Sequence, residues 1–481
     1  MISSPVDAPD SHHPFEAAVR PDGVNPFSAA APETSTAHES GAGRESGAVA
    51  ESRGAAQSGT VRESATVASP AKTGESAGAP DAVWDVAVVG AGPAGASAAR
   101  EAARAGARVV LLERAAFPRY KTCGGGLIGL SREALPEGFE LPVRQWIDAI
   151  TFTQQGRRER TKRDRDGGML ALVNRTDFDH ALVKAAVEAG AELREGAVVT
   201  GIEQAEATGK GPKDREPRLP DGTVLLMLAD GSRVRARAVV GADGSASRVA
   251  RHVGVTCRQV DLGLEAEIPV PPEVAARWAG RVLIDWGPVR GSYGWVFPKG
   301  DALTVGVIAA RGGGEETRAY YRDFVEQLGL AEFPAAQDSG HLTRCRTADS
   351  PLSRGRVLVA GDAAGLLDPW TREGISYALR SGRLAGQAAA RMATGPQPAG
   401  ESGVEQAAAE YRDRIETLLG TEMAAGERLL AAFEKRPGFF HAAVTTLPVA
   451  WRAFAEVCHG RTTFAELLRS RAAQAALRAI S

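Results

Sequence analysis

One stretch near residue 90 limits what this chain can fold into more than any other. VWDVAVVG is an apolar run of strand type; GAGPAG follows it, then an alanine-rich helical stretch to Ala105. Strand, glycine turn and helix in that order place Gly90, Gly92 and Gly95 where they permit a tight turn and close approach to a pyrophosphate. A second apolar run, Arg108 to Leu112, ends at Glu113 and completes a βαβ unit. Glu113 stands about 20 residues beyond the glycines, where a carboxylate accepts hydrogen bonds from ribose hydroxyls. Arg114 is placed to flank an adenosine. The alternative is a glycine turn in an ordinary α/β protein with a surface glutamate. Motif context and spacing favour a dinucleotide.

Two later segments repeat the theme of strand followed by turn. GADGSASRVAR puts Asp243 and Gly244 in a turn near the nucleotide crevice, with Ser247 and Arg251 on the next helix. In VLVAGDAAGLLDPWTREGISYALRSG a strand leads to Gly361 and Asp362, and a helix begins near Gly374 and Ile375. Asp362 suits ribityl hydroxyls, and the positive end of that helix stabilises negative charge on a reduced flavin. Read structurally, Asp362 caps a turn and Gly374 merely starts a helix. The three motifs in this order specify FAD rather than NAD.

Around these motifs the chain is expected to be α/β, with a Rossmann-type FAD-binding domain interleaved with an antiparallel-sheet substrate domain and followed by a helical C-terminal region. Residues 1–82 are rich in Ala, Ser, Gly and Glu without hydrophobic periodicity and read as a disordered tail. Residues 83–145, 171–260 and 346–395 are assigned to the FAD domain, 146–170 and 261–345 to the substrate domain, and 405–481 to the helical region. Asp177 to Ala189 reads as a helix, Ala191 to Ile202 as a strand, and Thr223 to Ala229 with Arg233 to Val240 as paired strands. A net charge of -2, from 57 basic and 59 acidic residues, gives no footprint for nucleic acid. Cys123, Cys257, Cys345 and Cys458 lack metal-ligand spacing, so no metal is expected, and their scatter suits a reducing cytoplasmic setting. No stretch approaches the ~18 apolar residues of a spanning helix, so membrane contact is expected to be peripheral at most.

GAGPAG, GADGSAS and GDAAG in this order resemble the flavoprotein hydroxylase fold, in which one FAD spans all three elements. FPRYKTCGGGL, YGWVFPKGD and DPWTREGISYAL are similar to the geranylgeranyl reductase family, whose members saturate isoprenoid double bonds. The resemblance implies FAD contacts at Ala94, Glu113, Cys123, Gly124, Gly126, Arg175, Val199, Asp362, Gly374 and Ile375. Arg175 also has its own rationale, since NRTDFDHAL sets a cation just before a helix returning toward the crevice. Where the family commonly reads small-Gly-Glu-Gly-Ile, this chain has Thr371, Arg372, Glu373, Gly374 and Ile375, which puts the loop's geometry in question.

Tyr293, Trp295 and Trp370 are the candidate walls of a hydrocarbon pocket, and the same aromatic pattern is also that of ordinary sheet core. An unactivated alkene needs a proton donor beside the hydride source, and Cys123, Tyr293 or an ordered water are the candidates. Cys123 also reads as a small residue packing beside the flavin. Phe439, Phe440, Leu447, Trp451, Phe454 and Phe464 dock at a membrane or cover the core. The leading expectation is a reductase of a polyprenyl lipid, a geranylgeranyl group or a menaquinone side chain. Its electrons come from NADPH or, through a partner protein, reduced ferredoxin. An aromatic monooxygenase or halogenase shares the scaffold, but a WxWxIP pattern is absent. A flavin-bearing sensor without turnover is the third reading.

Overall fold

The computed structural model describes residues 83–204, 222–394 and 400–480; the expected tail over residues 1–82 lies outside them. Trp84–Val89 is a strand, Pro93–Arg104 a helix with proline in its first turn, and Val109–Leu112 the next strand. The two strands pair in parallel, Val86 opposite Val109. Their near-continuous apolar sequence follows from burial on both faces, which leaves no side for polar residues. Arg233–Gly241 joins the free side of the first strand, also in parallel, and Val357–Val359 lies beyond it. Glu192–Arg194 lies outside Val109–Leu112. The chain thus leaves its first strand toward both sides of the sheet. A crevice follows at the carboxyl ends of Trp84–Val89 and Arg233–Gly241, where such sheets bind nucleotides.

The single strand expected over 191–202 is two. Gly196 turns the chain with φ 69°, so Glu192–Arg194 stays in the parallel sheet. Val199–Gln204 instead pairs antiparallel with Val224–Leu228, which pairs with Arg233–Gly241. The helix read over 177–189 spans Arg175–Glu188.

Helix Pro93–Arg104 packs against Ile375–Ala393 through small residues. A Cβ on Gly382 would fall 2.1 Å from the Ala94 carbonyl oxygen, and one on Gly386 2.2 Å from that of Ala98. Glycine is required there by the closeness of two backbones, which brings the later helix over the glycine-rich turn.

The second sheet has seven strands in the order Gln337–Arg346, Cys257–Pro269, Ala302–Ala310, Tyr293–Pro298, Arg281–Trp286, Ala149–Gln154 and Arg157–Arg163. Its pairs are antiparallel except Arg281–Trp286 with Ala149–Gln154. Alternation sorts its faces. Leu264, Ala266 and Ile268 meet Tyr320 and Phe324 of helix Gly314–Gln327 in one core. Asp261, Glu265 and Glu267 occupy the alternate positions, as do Tyr293, Trp295 and Phe297 on their own strand, and these face the parallel-sheet half. A three-stranded sheet of Gly126–Leu127, Leu170–Val173 and Val143–Ile147 stands between.

The C-terminal region is helical from Glu401, earlier than the sequence suggested. Trp286, Trp370, Leu429 and Phe433 share one apolar cluster that joins these helices to the second sheet. Burying each such side chain contributes about 1.5–3 kcal/mol. The protein is α/β, a Rossmann-type sheet interleaved with an antiparallel sheet and completed by helices.

Candidate functional site

The crevice starts at the glycine-rich turn. Gly90 has φ 93°, and a Cβ there would lie 2.4 Å from the Ala242 carbonyl oxygen. A Cβ on Gly95 would meet the Gly90 oxygen at 1.7 Å. Gly92 is the N-cap of helix Pro93–Arg104 and Ala94 is buried in its first turn. Glu113 is buried at the end of the second strand, accepting the Ala91 N–H at 2.8 Å and the Ala115 N–H at 3.1 Å. Arg114 beside it is exposed. Ala197 N–H binds the Glu113 carbonyl at 2.9 Å, which brings buried Val199 near this corner. Asp243 lies at the opposite wall. Its carboxylate accepts the Ser247 hydroxyl and, at 2.7 Å, the Arg248 N–H, capping the short helix that follows.

Further along the crevice the charges gather. Arg175 forks onto Asp179 at 2.8 and 2.9 Å, and Arg119 reaches the same carboxylate at 3.1 Å. Asp179 is fully buried, so its charge requires both partners. His341 stands 3.9 Å from Asp362 and 3.3 Å from the Ser245 hydroxyl. Burial pushes Asp362 up, but His341, Lys121 and Arg175 outweigh it and hold its carboxyl below the usual range. Lys121 is lowered by burial first and by Arg175 second, against Asp362. His341 is lowered by burial. Asp362 is therefore an ionised carboxylate beside the His341 ring. Gly361, with φ 57°, brings this turn against Ala94, where a Cβ would come within 2.8 Å. Helix Ile375–Ala393 begins beside it, with Gly374 as N-cap.

The CGGG turn lies between the crevice and the antiparallel sheet. Glu265 accepts the Cys123 N–H at 2.9 Å and the Tyr120 hydroxyl at 3.2 Å. The Cys123 sulfur accepts the Gly125 N–H at 3.4 Å. A Cβ on Gly124 would strike the Phe297 ring at 2.8 Å and reach Trp295 Nε1 at 3.2 Å, and one on Gly126 would meet Phe297 at 3.2 Å. The turn thus lies flat on the aromatic strand. Tyr293 donates to the Thr371 carbonyl at 2.5 Å, and burial pushes its hydroxyl far up. Trp370 packs with Phe440 and Phe464 at 5.5 and 5.4 Å between ring centroids.

Arg372 answers the question raised by its loop. Its φ of 56° is the left-handed conformation that a glycine adopts freely, so the backbone path survives the change of residue. The side chain bonds Asp261 at 3.2 and 3.5 Å and the Trp370 carbonyl at 2.7 Å.

The structure brings the glycine turn, Glu113, Arg175, Cys123, Asp362 and the start of helix Ile375–Ala393 around one crevice. It sets Trp370 in the aromatic cluster and Arg114 toward solvent. Sequence reasoning passed over Lys121, Asp179, Glu265 and His341. Lys121 lies within FPRYKTCGGGL and was within reach, whereas His341 gains meaning only by pairing across the fold. The crevice suits FAD: glycine positions that a Cβ would fill line its floor, and Glu265 Oε2 and Trp295 Nε1 are buried without a hydrogen-bond partner among the described residues.

A dinucleotide lying from the glycine turn to Asp362 brings its flavin end toward the antiparallel sheet, the arrangement of FAD-dependent oxidoreductases. Residues 83–420 match the family described as FAD binding domain. A digeranylgeranylglycerophospholipid reductase of Methanosarcina acetivorans is 31% identical over 330 residues, covering 64% of this chain and 75% of the relative. A menaquinone reductase of Mycolicibacterium smegmatis is 30% identical over 325 residues, covering 63% and 75%. A geranylgeranyl bacteriochlorophyll reductase-like structure from Thermoplasma acidophilum shares the fold with a TM-score of 0.61 at 22% identity, over 80% of this chain and 98% of that one. The chain belongs to the geranylgeranyl reductase family of FAD-dependent oxidoreductases.

Proposed function

We propose that this enzyme saturates isoprenoid carbon–carbon double bonds of a polyprenyl lipid, a geranylgeranyl group or a menaquinone side chain, in the cytoplasm with electrons from NADPH or reduced ferredoxin. The observation that carries the reading is the CGGG turn lying against Trp295 and Phe297, which makes an apolar wall beside the flavin crevice. The likeness to a digeranylgeranylglycerophospholipid reductase and to a menaquinone reductase supports it. In this reading residues 83–145, 171–260 and 346–395 hold FAD, and 146–170 with 261–345 face the substrate.

When bound and reduced, FAD supplies the hydride that one alkene carbon receives. The chain's own residues do the rest. Glu113 would hold the ribose, the glycine turn would receive the pyrophosphate, and ionised Asp362 would accept hydroxyl donors. Lys121, Arg175 and the positive end of helix Ile375–Ala393 favour negative charge in the crevice. The second alkene carbon needs a proton. Tyr293 is poorly suited to give it, because its proton lies on the Thr371 carbonyl and burial strengthens its hold. That leaves Cys123, its turn fixed by Glu265, or an ordered water as the proton source. The aromatic wall excludes water while cationic character develops on the alkene.

The test is anaerobic: the flavoprotein is photoreduced, mixed with geranylgeranyl lipid or menaquinone, and flavin reoxidation is followed with product mass. A gain of two hydrogens coupled to reoxidation is the expected result. A product that needs oxygen would place the protein with the monooxygenases.

A further inference from the structure

The edge strand Arg157–Arg163, RRERTKR, ends the seven-stranded sheet. Register sets Arg160 opposite Phe152 and Lys162 opposite Ile150. Phe152 and Ile150 point into the apolar cluster under the C-terminal helices, so Arg160 and Lys162 lie on that face and Glu159 on the other. Lys162 Nζ sits 5.9 Å over the Trp451 ring. Among the described residues, Arg163 alone in this strand has a carboxylate partner, Asp148 at 2.6 Å. The remaining cations of the strand have no carboxylate partner among the described residues; Arg160 is exposed and Lys162 half-buried.

Helix Pro437–Thr446 packs beside this strand and meets helix Pro448–His459 at a corner. Here Phe439 is 45%, Leu447 49% and Val449 75% exposed. A single exposed apolar residue needs no explanation, but three along one helix and its corner, bordered by that strand's cations, form an amphipathic surface. The apolar character continues inward. Phe439 meets Phe440 at 6.2 Å between ring centroids, and Phe440 meets Trp370 at 5.5 Å, just before the loop that leads to Gly374.

We propose that this face docks on an anionic phospholipid bilayer, with Arg160 and Lys162 at headgroup phosphates and Leu447 and Val449 among the acyl chains. Lysine and arginine near an anionic surface each strengthen binding about fivefold, and inserted apolar side chains add to that. An acidic protein partner would use the same cations but has no need of an aliphatic corner pointing outward. The bilayer fits both features. The proposal stands whatever the reducible substrate is.

The full chain, loaded with FAD, is sedimented with vesicles of phosphatidylcholine alone or mixed with an equal part of phosphatidylglycerol, neither containing prenyl lipid. Wild type is expected to partition onto the anionic vesicles. R160Q/K162Q weakens that partition about fivefold per charge removed. L447S/V449S weakens it at least about tenfold, as burial of two aliphatic side chains requires. Retained flavin absorbance shows that each variant is folded. Equal, weak partition onto both vesicle types would overturn the proposal. So would L447S/V449S binding like wild type, which marks a purely ionic surface suited to an acidic protein.

Discussion

Arg372 and Glu265 show how single residues hold this site together. The Arg372 side chain and Asp261 are almost wholly buried as a pair, while the arginine's backbone sits in the left-handed region at a cost of about 1–2 kcal/mol. Replacing Arg372 by glycine relieves that strain but strands a buried carboxylate. We expect Arg372→Gly to lose about 3 kcal/mol in urea unfolding, and R372G/D261N to recover most of it. Failure of the double variant to recover would mean that the arginine contributes through packing rather than through its charge. Glu265 is titratable in the neutral range. Burial pushes its carboxyl up to about 7, with Lys299 opposing and Glu267 adding. A carboxyl raised in the folded state contributes stability that is full below its unfolded pKa, near 4.3, and is lost as pH rises through about 7. Glu265→Gln keeps an acceptor for the Cys123 N–H and removes the titration. Relative to wild type, that variant gains on the order of 3 kcal/mol between pH 4 and pH 8, read from denaturant midpoints.

At the scale of elements, the contact between helices Pro93–Arg104 and Ile375–Ala393 determines whether the glycine turn is covered. Alanine in place of a mid-helix glycine ordinarily adds about 1 kcal/mol. At Gly386 the added methyl meets the Ala98 carbonyl oxygen at 2.2 Å, so the helices must separate, and overpacking of this kind costs about 1–3 kcal/mol. Gly386→Ala is expected to melt several degrees lower and to release flavin on dilution; an unchanged melting temperature would show that the helices slide apart freely. Elements set by local pattern were legible beforehand. The first βαβ unit, helix Arg175–Glu188 and the hairpin before GADG all follow from periodicity and turn residues. The break at Gly196 was missed because the alternation of Ala191 and Leu193 resumes at Ala197 and Val199 beyond it. Site residues with a motif around them, such as Glu113 and Asp362, were legible for the same reason. Glu265 and His341 were not, because each acquires its role from partners that the topology brings over long sequence separations, such as Tyr120 for Glu265; Asp179 pairs with Arg175 four residues away, and its local spacing was passed over.

For the whole molecule, the interleaving of two sheets has a consequence for synthesis. Trp84–Val89 takes both of its neighbours from later in the chain, and the sheet gains Val357–Val359 only after the antiparallel sheet has been made. Helix Ile375–Ala393, which covers the glycine turn, emerges later still. A ribosome-bound chain halted at Pro269 holds the glycine turn and Glu113 yet lacks Asp362 and that covering helix. Such a chain is expected to capture no flavin from solution, whereas one released past residue 394 quenches added FAD fluorescence. On that order the cofactor is a late guest, and until it can be held the apolar strands that await their neighbours stay uncovered.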